Sequence, residues 1–175
     1  MWSLSLSFFI TNLTHGYLLY SHKGTGQPTL SERAVQSNTS LGLFVTAHII
    51  AGLAFASFAY QFFWLRERSV FLLSLALLGI IAEWLQAVVP AKGRYERLHF
   101  ALAFTMSIFM VALGITAILS ITLPTQARLL LIAIEVIILA GYPLVKILPY
   151  KYFWIIQITN INLFYLQMYI LLFVS

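Results

Sequence analysis

Long apolar stretches separated by short polar connections are the feature of this sequence that most restricts its fold. Five stretches are each more than 20 residues long and almost free of charge: 41–65, 69–90, 98–123, 128–148 and 152–174. A helix needs about 20 mostly apolar residues to cross the hydrocarbon core of a bilayer. Because a single segment in hydrocarbon can satisfy its backbone hydrogen bonds only as a helix, these stretches predict five membrane-spanning helices.

The composition agrees with this prediction. Hydrophobic residues make up 61% of the chain and charged residues 9%, whereas soluble domains carry about 25% charged residues. A soluble protein of this composition would expose large apolar patches and aggregate. We therefore expect an integral membrane protein of the all-α class, a polytopic transmembrane helical bundle that forms one domain over residues 1–175.

Residues 1–20 are a weaker sixth candidate. They carry several Ser and Thr side chains but no formal charge, and they are long enough to span. We expect about six helices, or five if residues 1–20 form a re-entrant or interfacial segment. The connections between the later helices are short, which makes neighbouring helices antiparallel.

The polar stretch 21–40 separates residues 1–20 from the remaining helices. Gly24, Gly26 and Pro28 interrupt any helix there. The sequence from Thr29 to Glu32 has the spacing of a capping box, in which two side chains satisfy free backbone N–H groups. This spacing predicts a helix that begins near residue 30 on the membrane surface and then enters the bilayer.

Basic residues indicate the orientation. Loops 21–40, 91–97 and 149–151 share one side of a six-helix bundle, and seven of the ten Lys and Arg residues lie in or beside them. The positive-inside rule predicts that these loops are cytoplasmic. We expect a bacterial inner membrane, with the basic residues against anionic lipid head groups. No basic stripe of the kind that binds nucleic acid is present.

Ionisable side chains inside a membrane are costly and need a partner or a purpose. His48, Glu83 and His99 lie on three consecutive predicted helices and in the same cytoplasmic half. Small residues recur on their helix faces, which indicates that these faces pack inside the bundle. Such a cluster could bind a metal ion, relay a proton, hold a polar ligand, or only fix the packing. Two His residues could also ligate a haem.

Three further polar residues are candidates. Gln86 shares the inward stripe of Glu83. Glu135 lies near mid-membrane without a charged partner on its own face, and we expect it to bond to Asn160 or Gln157. It is either structural or part of a proton or ion path, and Asn160 either joins helices or lines a polar cavity.

Several kinds of chemistry are excluded. The chain has no Cys, which excludes disulfides, thiolate nucleophiles and iron–sulfur clusters, and it has no Walker, dinucleotide-binding, zinc-helix or nucleophile-elbow motif. No catalytic residue is assigned. An intramembrane enzyme acting on lipid stays open, with His99 or His48 as base and Glu83 as the group that orients it.

One pattern resembles a known family. It consists of Ser31-Glu32-Arg33-Ala34, a Glu-bearing third spanning segment that ends at Val89-Pro90, and Gly93-Arg94 followed by Arg97-Leu98-His99. This pattern is similar to bacterial membrane proteins grouped as domain of unknown function 998, distant neighbours of the six-helix Frag1 and DRAM type. The resemblance covers the first four predicted helices. It implies six helices and transfers no established activity.

Taken together, these features favour a small carrier or sensor for a cation, a proton or a small ligand, or an accessory subunit of a membrane complex. The alternatives are a subunit that binds haem or another pigment and the intramembrane lipid enzyme named above. Assembly into a homo-oligomer or a larger membrane complex is open. In the accessory case the polar cluster would only pack the bundle, and the outer faces would bind the partner.

Overall fold

The computed structural model describes residues 2–22, 29–149 and 152–175. Within these ranges the chain is helical, without strands, and forms seven α-helices. Their bounds are α1 Trp2–Ser21, α2 Leu30–Ala34, α3 Asn38–Ala59, α4 Val70–Val88, α5 Glu96–Ser120, α6 Thr125–Ile147 and α7 Phe153–Val174. A π-helical segment, Tyr60–Arg66, continues α3, and a 3₁₀ turn, Gly93–Tyr95, precedes α5.

The predicted fold class is confirmed. Five helices, α3 to α7, are long and apolar enough to cross a membrane. Each begins and ends within three residues of the apolar stretch that predicted it when the π-helical segment is counted with α3. Loops of this length leave consecutive spans antiparallel.

Helix α1 has 20 residues, about 30 Å at 1.5 Å per residue, which equals the thickness of the hydrocarbon core. Its exposed side is apolar and its buried side is largely polar. The exposed side includes Trp2, Leu6, Phe9, Leu13 and Tyr17. The buried side includes Ser7, Thr11, Thr14 and His15. The outer side of α1 is thus apolar, although α1 is not among the five helices that meet the length and hydropathy of a membrane span.

The capping box is present at the start of α2. Thr29 accepts from the backbone N of Glu32 at 3.1 Å, and the Glu32 carboxylate accepts from the backbone N of Thr29 at 3.1 Å. The expectation that this helix continues into the bilayer is wrong, because α2 ends at Ala34. Ser37 starts α3 separately by accepting from the backbone N of Ser40 at 3.1 Å. Short polar side chains compete with the helical hydrogen bonds in this way.

The long helices form a closed ring. Around it the neighbours are α1–α3, α3–α4, α4–α5, α5–α6, α6–α7 and α7–α1. Hydroxyl groups close the ring between α7 and α1: Tyr165 and Ser7 are joined at 2.6 Å, and Tyr169 donates to Ser5 at 2.9 Å. Helix α2 lies at one end of the ring, which we call the α2 end.

The main hydrophobic core occupies the opposite end. There Phe58, Phe63, Leu72, Leu113 and Met168 are almost fully buried. Arg66 joins the same end of α7 by donating to the carbonyl of Leu172 at 3.1 Å. The bundle is therefore solid at this end, and its polar residues gather toward the α2 end.

Candidate functional site

A cavity of about 550 Å³ lies inside the ring, in the half that contains the α2 end. Residues from all seven helices line it. Its size falls within the range of pockets that hold small-molecule ligands, roughly 300–1,000 Å³. The cavity exists because the six long helices surround a centre that side chains fill only at the other end.

The cavity wall contains four of the six predicted site residues: His48, Glu83, Gln86 and Asn160. These side chains come from three of the long helices, α3, α4 and α7. The other two candidates, His99 and Glu135, do not line it. The inward direction that small-residue spacing predicted for α3 and α4 therefore holds. Four of the candidate side chains line the cavity, and two lie outside it.

Glu83 lines the cavity without a hydrogen-bonding partner among the residues that the structure describes. Within the described ranges its carboxyl group has no hydrogen bond and no ion pair, and the one ion pair found there joins Arg66 to Glu67 at 3.7 Å on the surface. One turn before it, Gly79 lets α4 pack closely on α5, since a Cβ at that position would lie 2.8 Å from the methyl group of Met110. The close packing of α4 and α5 holds Glu83 at the cavity surface.

His48 is held by its own helix and by α4. Its Nδ1 donates to the carbonyl of Phe44 at 2.8 Å, and Trp84 donates its indole N–H to the carbonyl of His48 at 3.2 Å. Gly52 makes room for that indole. A neutral His that donates through Nδ1 keeps Nε2 as an acceptor. In its neutral form the His48 ring therefore offers a hydrogen-bond acceptor.

His15 is a site residue that the sequence interpretation missed. It lines the cavity from α1, its ring centroid lies 6.0 Å from that of His48, and its Nδ1 is buried without a partner in the part of the chain that the structure describes. The available signal was its place on the polar side of α1, where Thr11 also lines the cavity. That side was recognisable only once residues 1–20 were treated as a packed helix.

His99 has a structural role. Its Nδ1 donates to the carbonyl of Val89 at 2.7 Å, and its Nε2 accepts from the amide of Gln86 at 3.1 Å. The first bond satisfies a carbonyl group at the C-terminal end of α4, and both bonds join that end to the start of α5. Because both ring nitrogens are occupied, His99 is not free to ligate a haem iron or a metal ion.

The proposed metal site of His48, Glu83 and His99 is a prediction that the structure does not support. No group of three His, Cys, Asp or Glu side chains that could hold a metal ion occurs among the described residues. The physical reason lies in His99, whose ring bonds to Gln86 and Val89 at the C-terminal end of α4. His48 and Glu83 face the cavity without it.

Glu135 also has a packing partner, but a different one from the expected amides. Gln167 donates to its Oε2 at 2.5 Å, whereas Asn160 donates to the carbonyl of Ile138 at 3.4 Å and Gln157 accepts from the backbone N of Leu30 at 3.2 Å. The antiparallel register explains the difference. Helices α6 and α7 run in opposite directions, so a residue nearer the start of α6 lies beside a residue nearer the end of α7. Glu135 therefore lies beside Gln167.

Helix α2 covers part of the cavity at its end of the ring. Leu30 and Ser31 line the cavity, and the bond from Leu30 to Gln157 ties α2 to α7. Arg33 is buried beside it, and its guanidinium donates to the carbonyl of His22 at 3.3 Å. This helix is therefore part of the cavity wall, not a solvated surface loop.

No protein-family model matches this chain, and no curated protein and no solved structure is significantly similar to it.

Proposed function

We propose that this chain is a membrane carrier or sensor that holds a small ligand in the central cavity, with Glu83 as the anchoring group. The observation that supports the proposal is the unpartnered carboxyl group of Glu83 at the wall of a cavity of about 550 Å³. A carboxyl group inside a membrane protein is costly and is usually paired or functional.

The comparison with the other intramembrane polar groups favours a ligand site over a purely structural cluster. His99 has two hydrogen bonds and Glu135 has one, and each of these bonds joins two helices or stabilises a helix end. Glu83 makes no such bond to any other residue that the structure describes. An accessory subunit that only packed its polar groups would leave no reason for a carboxyl group in an open space.

The setting that we propose is a bacterial inner membrane with the α2 end in the cytoplasm. The basic residues near that end support this orientation through the positive-inside rule. They also support contact with anionic lipid head groups. Assembly into a homo-oligomer or a larger membrane complex, and membership of the family that the sequence resembles, are parts of the same proposal.

The chain offers a direct test because it has no native Cys. Ser107 lines the cavity, whereas Thr105, two residues away on α5, is exposed on the outside of the bundle. We expect a Ser107→Cys variant in membranes to react with small water-soluble methanethiosulfonates. A Thr105→Cys variant should react far more slowly, because a thiol in hydrocarbon does not ionise.

The matched positions make the result decisive. Both variants exchange a hydroxyl for a thiol on the same helix, so differences in expression and insertion cancel. Equal and slow labelling of the two variants would show that water and small solutes do not reach the cavity. The ligand-binding proposal would then be wrong.

A further inference from the structure

The walls of the central cavity carry an electrostatic imbalance. Glu83 is an acid, and neither Lys nor Arg occurs among the described residues that line the cavity. The hydrogen bond from His48 Nδ1 to the carbonyl of Phe44 makes Nδ1 the protonated nitrogen, so the neutral ring has Nε2 as an acceptor. A ligand with a positive charge would supply the partner that the protein does not.

Aromatic rings line the same cavity as this acid. Phe55, Phe100, Phe164 and Tyr165 line the cavity from three helices. The face of an aromatic ring attracts a cation, and the attraction increases when the cation is desolvated. A carboxyl group among aromatic faces suits an ammonium group that carries alkyl or aryl substituents. It does not suit a divalent metal ion, which needs several oxygen ligands.

The rest of the cavity wall is mainly apolar. Besides the aromatic residues it includes Met106, Met110, Val111, Ile138 and Ile156. Because burial of apolar surface is favourable, such a wall suits a ligand with an apolar body.

From these three observations we infer that the ligand of this site is a lipophilic organic cation, an amine or quaternary ammonium compound whose charged group is held by Glu83 and whose apolar body contacts the aromatic wall. This inference rests on the proposed function and specifies its ligand. Inorganic cations and neutral lipids are the competing occupants that the following experiment separates.

The probe is radiolabelled benzyltrimethylammonium, and its control is neopentylbenzene, which has the same shape without the charge. Binding is measured on the full chain in lipid nanodiscs. We expect saturable binding of the cation that is at least about tenfold tighter than binding of the neutral compound, which corresponds to about 1.4 kcal/mol. 3-Phenylpropanoate, an anion of similar size, should not compete, and neither should sodium or magnesium ions.

Two Glu variants test the assignment to one carboxyl group. Glu83→Gln should weaken binding of the cation by about tenfold or more and leave the neutral compound unchanged, because it removes charge and keeps shape. Glu135→Gln is the matched control, since Glu135 lies outside the cavity and is bonded to Gln167. Its binding of the cation should stay within about twofold of the unaltered chain.

Several results would overturn the inference. Equal binding of the cation and the neutral compound would show a cavity without charge preference, as would unaltered binding in Glu83→Gln. Failure of both probes to bind would also refute it. The three-probe comparison uses the unaltered chain, so misfolding of a variant cannot obscure the result. If Ser107→Cys is labelled while the cation shows no preference, the proposed function stands and only the cationic ligand is rejected.

Discussion

Replacing Gly114 with Ala should destabilise the bundle measurably, because this glycine makes room for the buried pair Glu135–Gln167. A Cβ at position 114 would lie 2.6 Å from Oε2 of Glu135 and 3.1 Å from Oε1 of Gln167. The carboxyl group would have to move by most of an ångström to reach ordinary contact distance. That movement stretches the hydrogen bond that Gln167 donates to the same oxygen.

The expected cost follows from two contributions. Overpacking a filled interior costs typically about 1–3 kcal/mol, and an interhelical hydrogen bond in a membrane protein is worth on average about 0.6 kcal/mol. Better helix propensity of Ala over Gly offsets up to about 1 kcal/mol. We therefore expect Gly114→Ala to lower the free energy of unfolding by about 1–2.5 kcal/mol.

The assay is reversible unfolding in mixed micelles with increasing SDS, followed by circular dichroism. Gly16→Ala is the matched control, because nothing lies within 4 Å of a Cβ at that position, and it should be neutral or slightly stabilising. In a Glu135→Ala background the cost of Gly114→Ala should largely disappear, since the atom that it displaces is gone. An equal cost in both backgrounds would refute the reasoning.

Three further substitutions address polar contacts in the ring. Glu135→Gln should leave the free energy of unfolding unchanged or raise it by roughly 0.5–1.5 kcal/mol. The new amide still accepts from Gln167, and it can donate to the Gln167 oxygen that has no partner within the described ranges. A loss above about 1 kcal/mol in the same unfolding assay would contradict this expectation. Tyr165→Phe should cost about 1 kcal/mol, since it removes the bonds to Ser7 at 2.6 Å and Thr11 at 3.2 Å while keeping the ring. Tyr169→Phe, which loses one bond to Ser5, should cost less, and the reverse order would show that these hydroxyl groups do not hold α1 to α7.

The spans could be predicted from the sequence because hydrophobic length is a local property that the bilayer imposes on each helix separately. The inward direction of His48 and Glu83 was also predictable, since small residues on the same helix faces indicate close packing. What these patterns could not show is the cavity. Its existence depends on how six helices close into a ring, which no single helix encodes.

Two contacts differ from the expected ones for a common reason. Glu135 was expected to bond to Asn160 or Gln157, and His99 was expected to join Glu83, because depth along separate helices was known but register and rotation were not. In the fold, Gln167 lies beside Glu135, and His99 turns to the end of α4. His15 was missed because a helix with a polar inner side and an apolar outer side has an unremarkable average hydropathy.

The most direct test of the central claim is an experimental structure in lipid nanodiscs at a resolution that shows lipid chains and water. The account predicts that the Glu83 carboxyl group faces an internal space containing solvent or ligand density, with acyl chains against Trp2, Leu6 and Phe9 of α1. A Glu83 side chain directed at acyl chains would contradict it. A bundle in which side chains fill the space beside Glu83 would contradict it equally.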